Sequence, residues 1–482
     1  MSTQHPDNVS VPFFAPNSIM SGEDEVREAY YAYSHLGCDE QMWDAEGKEV
    51  DGFVVEKLLA TYPEFFREHP LGERVFLTPR VPNPAVERSQ AKILLEVLHS
   101  LPRHSDVARL FHERECPPII EVILPMTTAA RELERIQCYY ERFVAGIADA
   151  MLLPEDGPLG ASFGTFSPDR IAVIPLLEDH PRLAAADSLV SDFLRGKALP
   201  YQRVFIARSD PALNYGMVGA VVLTLIAMER LRALERETGI GIYPILGAGS
   251  APFRGNLRPS TVRRVLAMYP SVQTFTIQSA FKYDHPAAEV AAAIGLLKEA
   301  PLSEPLPVAD DPRALAIVDR VSAAYRDSVV ALAPLVRAVA QHVPRRRMRK
   351  LHVGLFGYSR SAGNESLPRA IPFCAALYSL GVPPEILGLA ALNADDRRWL
   401  AQRAPGFYDD LRDAVRYLDV EATGDMPNAV RADVAAAVDF IGETDREHVA
   451  LSHAVRRRAL DGPPDGLGDL IVRAAALRRF LG

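Results

Sequence analysis

Several apolar runs in this 482-residue chain stop abruptly at a charged or polar residue. IAVIPLLE closes on Glu178, RVFIARSD on Asp210, VFLTPR on Arg80 and LHVGLFGYSR on Arg360. EVILPMTT reaches Thr127 and Thr128, GIYPILGAGS leads to Arg254, and TFTIQSAFK ends at Lys282. Runs that are apolar at successive positions need cover on both faces, which a parallel sheet flanked by helices supplies. The intervening stretches are long enough for crossover helices. Many strand ends with different chemistry favour a closed barrel over an open sheet, because a barrel gathers its strand ends at one rim. The length suits either one elaborated barrel domain or two domains.

The strand ends also suggest a chemistry. Glu178 and Asp210 are ionised oxygen donors suited to a hard cation such as Mg²⁺ or Mn²⁺, leaving positions for water and substrate oxygens. Arg80, Arg208, Arg254, Arg360 and Arg369 offer planar, permanently charged forks for carboxylate and phosphate. Together they imply a small, highly anionic substrate. The glycine-rich GAGSAPFRG at 247–255 lets backbone approach oxyanions closely. It is neither GxxxxGK[ST] nor GxGxxG, so nucleotide and dinucleotide fingerprints are rejected. His5, in the proline-stiffened TQHPDN, is a candidate general base placed over the rim. The basic run RRRMRK at 345–350 reads as a solvated face or a subunit contact rather than a polyanion site.

A formal net charge of -9 gives no global attraction to nucleic acid or acidic membranes. The apolar helix expected from Val218 onward becomes amphipathic and stops at Gly239, as a crossover rather than a membrane span. The polar MSTQHPDN start shows no signal segment, and the dispersed Cys38, Cys116, Cys138 and Cys374 suit a reducing compartment, so a cytoplasmic location is expected. Residues 24–70 and part of 84–112 read as helical, as do 286–300, 311–341, 431–440 and the tail from Leu467 to Leu481. The glycine- and proline-rich 153–170 reads as an active-site or interdomain loop. On strand-end chemistry alone, a metal-dependent lyase, a phosphotransferase and an inactive oligomer that keeps the fold all stay open.

STQHPDN, LTPRVPN at 77–83, GSAPFRG at 249–255, TIQSAFKYD at 276–284 and GYSRSAGNESLPRAIPF at 357–373 are unusual segments. Together they resemble phosphoenolpyruvate carboxylase, in its short archaeal-type class, over nearly the whole chain. The resemblance implies an α/β fold, a (β/α)8 TIM-type barrel elaborated with many additional helices, here as a single domain over 1–482. It further implies a homotetramer that makes oxaloacetate and phosphate from phosphoenolpyruvate and bicarbonate, using Mg²⁺ or Mn²⁺ and no biotin. By the same resemblance Glu178 and Asp210 are the metal ligands, His5, Arg254 and Arg360 act in catalysis, and Arg80 and Arg369 grip the phosphate. The longer class carries an additional arginine in its glycine-rich loop where this chain has Ala248, so Arg208, or failing it Lys282, is expected to supply that charge. Phe480 stands where the longer class has an effector-binding asparagine, which argues against aspartate or malate feedback of that type.

Overall fold

The computed structural model describes the chain apart from residues 47–49, 154, 349–360, 363–364, 422–425 and 462–464. Seven parallel strands lie in chain order in one sheet: β1 (Glu40–Asp44), β2 (Phe76–Arg80), β3 (Glu121–Leu124), β4 (Ala172–Leu177), β5 (Tyr201–Ala207), β6 (Gly241–Gly247) and β7 (Thr274–Phe275). Helices occupy 57% of the chain, so the fold is mostly helical.

The closed eight-stranded barrel expected from the sequence does not form among the described residues. The sheet there is an open, incomplete half-barrel, and its edge strands β1 and β7 do not pair. The chain start lies between those edges. The Ser2 N–H donates to the Glu40 carbonyl (2.6 Å), the Met42 N–H to Ser2 (2.9 Å), and the Thr3 N–H to Ile277 (3.0 Å). These are isolated bridges and not a strand. The run TFTIQSAFK also stops short of a full strand, since only Thr274–Phe275 is regular and Ser279–Tyr283 turns into a helix. The run LHVGLFGYSR, with Arg360, lies outside the described residues.

Alternation along the strands builds the concave face in layers. At the strand starts, Arg203 bridges Glu40 (2.9 and 2.8 Å) and Glu121 (2.7 Å). Two residues further on, Met42, Ile123, Ile174, Phe205 and Ile245 form an apolar belt with Met1 and Leu176. One more step brings Asp44, Arg80, Glu178 and Gly247 to the rim of a single cavity. The opposite face, including Trp43, Val122, Val173, Ile206 and Leu246, joins the main core beneath the helices.

The helix Ser209–Thr238 connects β5 to β6, as the sequence predicts. It is long and apolar enough to cross a membrane, yet 89% of its most apolar window is buried inside the fold. Residues 24–70 depart from expectation, because β1 lies between their helices. No described residue of the 153–170 segment lines the rim cavity, against the active-site half of its reading, and Leu153 and Phe163 are exposed.

Candidate active site

The rim cavity has a volume of about 660 Å³. Its walls bring together His5, Arg80, Glu178, Asp210, Arg254 and Arg369, from segments scattered along the chain. Glu178 follows β4 directly, and its Oε2 accepts the Met126 N–H at 2.8 Å. That bond orients the carboxylate from behind. Asp210 enters from the first turn of the Ser209–Thr238 helix. Both acids are partly exposed and share the cavity, so their donor set fits a hard divalent cation that keeps water and substrate oxygens as further ligands. Among the described residues no cluster of three or more His, Cys, Asp or Glu side chains forms a closed protein cage.

The register of β1 against β2 places Asp44 beside Arg80. Their side chains form a two-bond fork, Nε to Oδ1 at 2.7 Å and Nη2 to Oδ2 at 2.8 Å, and Glu46 lies 3.3 Å from the same Nε. Asp44 is fully buried, so it fixes the direction of Arg80 at the cavity wall. Arg369 precedes the helix Ala370–Ser379. Arg80 and Arg369 both act on buried Glu87, whose pKa is nonetheless pushed up to about 7 by burial and by the nearby Glu46.

Arg254 is almost fully buried yet reaches the cavity. Its guanidinium donates to Ser209 Oγ (3.0 Å), Asp7 Oδ2 (3.3 Å), Gln278 Oε1 (2.5 Å) and the Gly482 carbonyl (2.6 Å). Gly249 is needed for this, because a Cβ there would come within 2.8 Å of the guanidinium carbon. Asp7 also accepts the N–H groups of Ala280 (2.7 Å) and Ser250 (3.3 Å). It thus staples the first residues of the chain to both neighbouring loops. Burial raises the Asp7 pKa, and Arg254 opposes that rise. His5 therefore sits in a packed element, with its carbonyl accepting the Asp7 and Ser279 N–H groups and its Nδ1 3.0 Å from Thr3 Oγ1.

Two expected site cations lie elsewhere. Arg208 is not among the residues lining the cavity: it is buried behind the glycine-rich loop, against Gly255 and near Tyr269. Gly255 adopts φ 119°, which a side chain would strain. Lys282 also lies off the cavity, donating to Glu28 (2.6 Å), Ser2 Oγ (3.0 Å) and the Thr3 carbonyl (2.9 Å). It anchors the segment that carries His5. Arg360 is outside the described residues.

Glu28 is shared by Lys282 and Arg347 (2.6 Å each), and all three side chains are buried. Burial alone would raise the Glu28 pKa, but Arg347 and Lys282 overcome it and bring the value from 4.5 down to about 2. Glu28→Gln strands buried Lys282 and leaves Arg347 with Glu25 alone, so unfolding stability at neutral pH is expected to fall by about 3–5 kcal/mol. The depressed pKa means that this contribution is present above 4.5 and is lost as pH falls toward about 2. Urea unfolding at several pH values checks both: wild type and variant should converge in acid. Equal midpoints at neutral pH would refute it.

Sequence reasoning missed Asp7, Asp44, Glu46 and Gln278, together with the arginines at 345–347, all at this site. EQMWDAE carried a usable signal, since it too is a run that ends in acids. A family profile described as phosphoenolpyruvate carboxylase matches residues 1–482. The phosphoenolpyruvate carboxylase of Methanospirillum hungatei is 51% identical over 482 residues, covering 100% of this chain and 99% of that relative. That of Methanothermobacter thermautotrophicus is 49% identical over 484 residues, and that of Pyrococcus abyssi 46% over 484, each with the same coverage. The chain belongs to the archaeal-type class of the phosphoenolpyruvate carboxylase family.

Proposed function

We propose that the rim cavity is the active site and that Glu178 and Asp210 hold the divalent cation there. The chain is an enzyme of carbon dioxide fixation, a lyase that makes oxaloacetate and phosphate from phosphoenolpyruvate and bicarbonate. The convergence of Glu178 and Asp210 with Arg80, Arg254, Arg369 and His5 in one cavity carries the site assignment. Mg²⁺ or Mn²⁺, when bound, supplies positive charge for the phosphate and the developing enolate oxygen.

The remaining work falls to side chains. Arg80 and Arg369 grip the phosphate and lower its negative charge, so that bicarbonate, itself an anion, can approach phosphorus. Attack yields carboxyphosphate and the enolate of pyruvate. Arg254 holds carboxyphosphate, and His5 takes the bicarbonate-derived proton as carbon dioxide is released beside C3 of the enolate. Exclusion of water protects both intermediates. Arg360 stays in this reading as an orienting residue on the resemblance alone. A cytoplasmic homotetramer of single-domain chains, without biotin, belongs to it on the same footing.

Glu178→Gln and Asp210→Asn test the metal assignment through binding as well as turnover. Each is expected to weaken Mn²⁺ binding, read by electron paramagnetic resonance without substrates, by about tenfold or more, and to remove oxaloacetate formation. Unchanged Mn²⁺ affinity in both variants would remove these residues as ligands.

A further inference from the structure

In the described part of the basic run, Arg346 and Arg347 are buried rather than solvated. Beyond the helix Pro312–Ala340 the chain turns inward at Val343 and Pro344, and Arg345, Arg346 and Arg347 all line the rim cavity. Backbone bonds from the Met20 N–H to Arg346 (3.0 Å) and from the Met348 N–H to Met20 (2.9 Å) pin the segment there. Arg347 is neutralised by Glu25 (3.2 Å) and Glu28 (2.6 Å). The other two are not: among the described residues, no carboxylate makes an ion pair with Arg345 or Arg346.

Arg346 is the more telling of the two, being only 7% exposed. It donates from Nε to the Asn8 carbonyl (3.2 Å) and from Nη2 to the Val9 carbonyl (2.9 Å). Neutral carbonyls orient a guanidinium without neutralising it. Asp284 acts on Arg346 through space without forming an ion pair, and its oxygens accept the Val9 (2.8 Å) and Ser10 (2.7 Å) N–H groups. Burial pushes the Asp284 pKa up to about 7, so its charge offsets Arg346 only in part. A buried cation without a direct ion pair is costly, and its cost is relieved when an anion arrives.

We infer that Arg346, with exposed Arg345 beside it, seats the bicarbonate. The position favours bicarbonate over phosphate. The carbonyls that hold Arg346 closely follow His5, the residue proposed to take the bicarbonate-derived proton, whereas Arg80 is directed by Asp44 at the end of the edge strand β1. The seat also supplies the cavity charge absent at Ala248, which neither Arg208 nor Lys282 delivers. This inference rests on the rim cavity being the active site.

Steady-state kinetics with both substrates varied, on Arg346→Gln, Arg346→Lys and Arg345→Gln, test it. Losing a charge-assisted bond is expected to raise the KM for bicarbonate about tenfold or more in Arg346→Gln, with the KM for phosphoenolpyruvate within about twofold of wild type. Arg346→Lys should recover part of the loss, and Arg345→Gln should show a smaller shift of the same kind. An increase confined to the phosphoenolpyruvate KM, or no change in the bicarbonate KM in either glutamine variant, overturns the seat. Should Arg346→Gln fail to fold by circular dichroism, Arg345→Gln decides by the same criterion. If the cavity were not the active site, Asp210→Asn and His5→Asn would retain turnover as well, which separates that failure from this one.

Discussion

Arg254→Gln is expected to lower kcat for oxaloacetate formation by about 10²–10³-fold, the usual loss when a preorganised donor to a developing oxyanion is removed. Glutamine keeps a polar head but loses the charge and the fork that reaches Ser209, Asp7, Gln278 and the Gly482 carbonyl together. Asp7 would then be left buried beside a neutral group. Breaking a buried pair on one side costs about 3–5 kcal/mol, so the unfolding midpoint should fall along with the rate. Arg254→Lys separates the two effects. It keeps a charge near Asp7 but cannot span the four partners, so stability should recover more than kcat does. Saturating-substrate kinetics and urea unfolding on both variants provide the comparison. A lysine variant that restores rate and stability in equal measure would make Arg254 a scaffold residue only.

The same local chemistry explains what could be read before the fold was known. The cores of β4, β5 and β6 are apolar on both faces, so IAVIPLL, RVFIA and GIYPILG stand out as strands, and the acids after β4 and β5 mark the rim. β1 was hidden by its own inward positions. Glu40 and Asp44 make EQMWD look too polar for an interior strand, and only their ion pairs with Arg203 and Arg80 make them tolerable there. Those partners are far away in sequence. Arg345, Arg346 and Arg347 resemble a solvated run for the same reason, since what they face comes from Met20, Glu25, Glu28 and the first residues of the chain. Arg208 and Lys282 mislead in the opposite direction. Both follow an apolar run, but Arg208 packs behind the glycine-rich loop and Lys282 lies within the helix Ser279–Tyr283, which carries its ammonium toward Glu28. Sheet closure was the least legible feature, because a two-residue β7 and a few bridges at the chain start leave little periodic pattern.

His5→Asn is expected to lower oxaloacetate formation by about 10²–10⁴-fold, the range for loss of a general base. Phosphate release should fall much less. The His5 carbonyl holds the Asp7 and Ser279 N–H groups at 3.1 Å each, and the substitution leaves that carbonyl in place. The anchors of Ser2 and Thr3 to Lys282 are likewise untouched. What changes is the ring. Nδ1 lies 3.0 Å from Thr3 Oγ1, and in the tautomer in which Nδ1 donates there Nε2 carries the lone pair that can accept a proton; asparagine has no such nitrogen. In the proposed order of events the proton moves after phosphorus has been attacked, so an enzyme lacking the base can still cleave phosphoenolpyruvate but cannot complete carboxylation. Parallel assays of oxaloacetate and phosphate at saturating bicarbonate read this partition directly. Equal loss of both products would move His5 to the first step, and wild-type yields of both would remove it from the chemistry. A rise in the ratio of phosphate to oxaloacetate places the proton transfer where the geometry of the first residues puts the imidazole, beside the loop that carries Arg254.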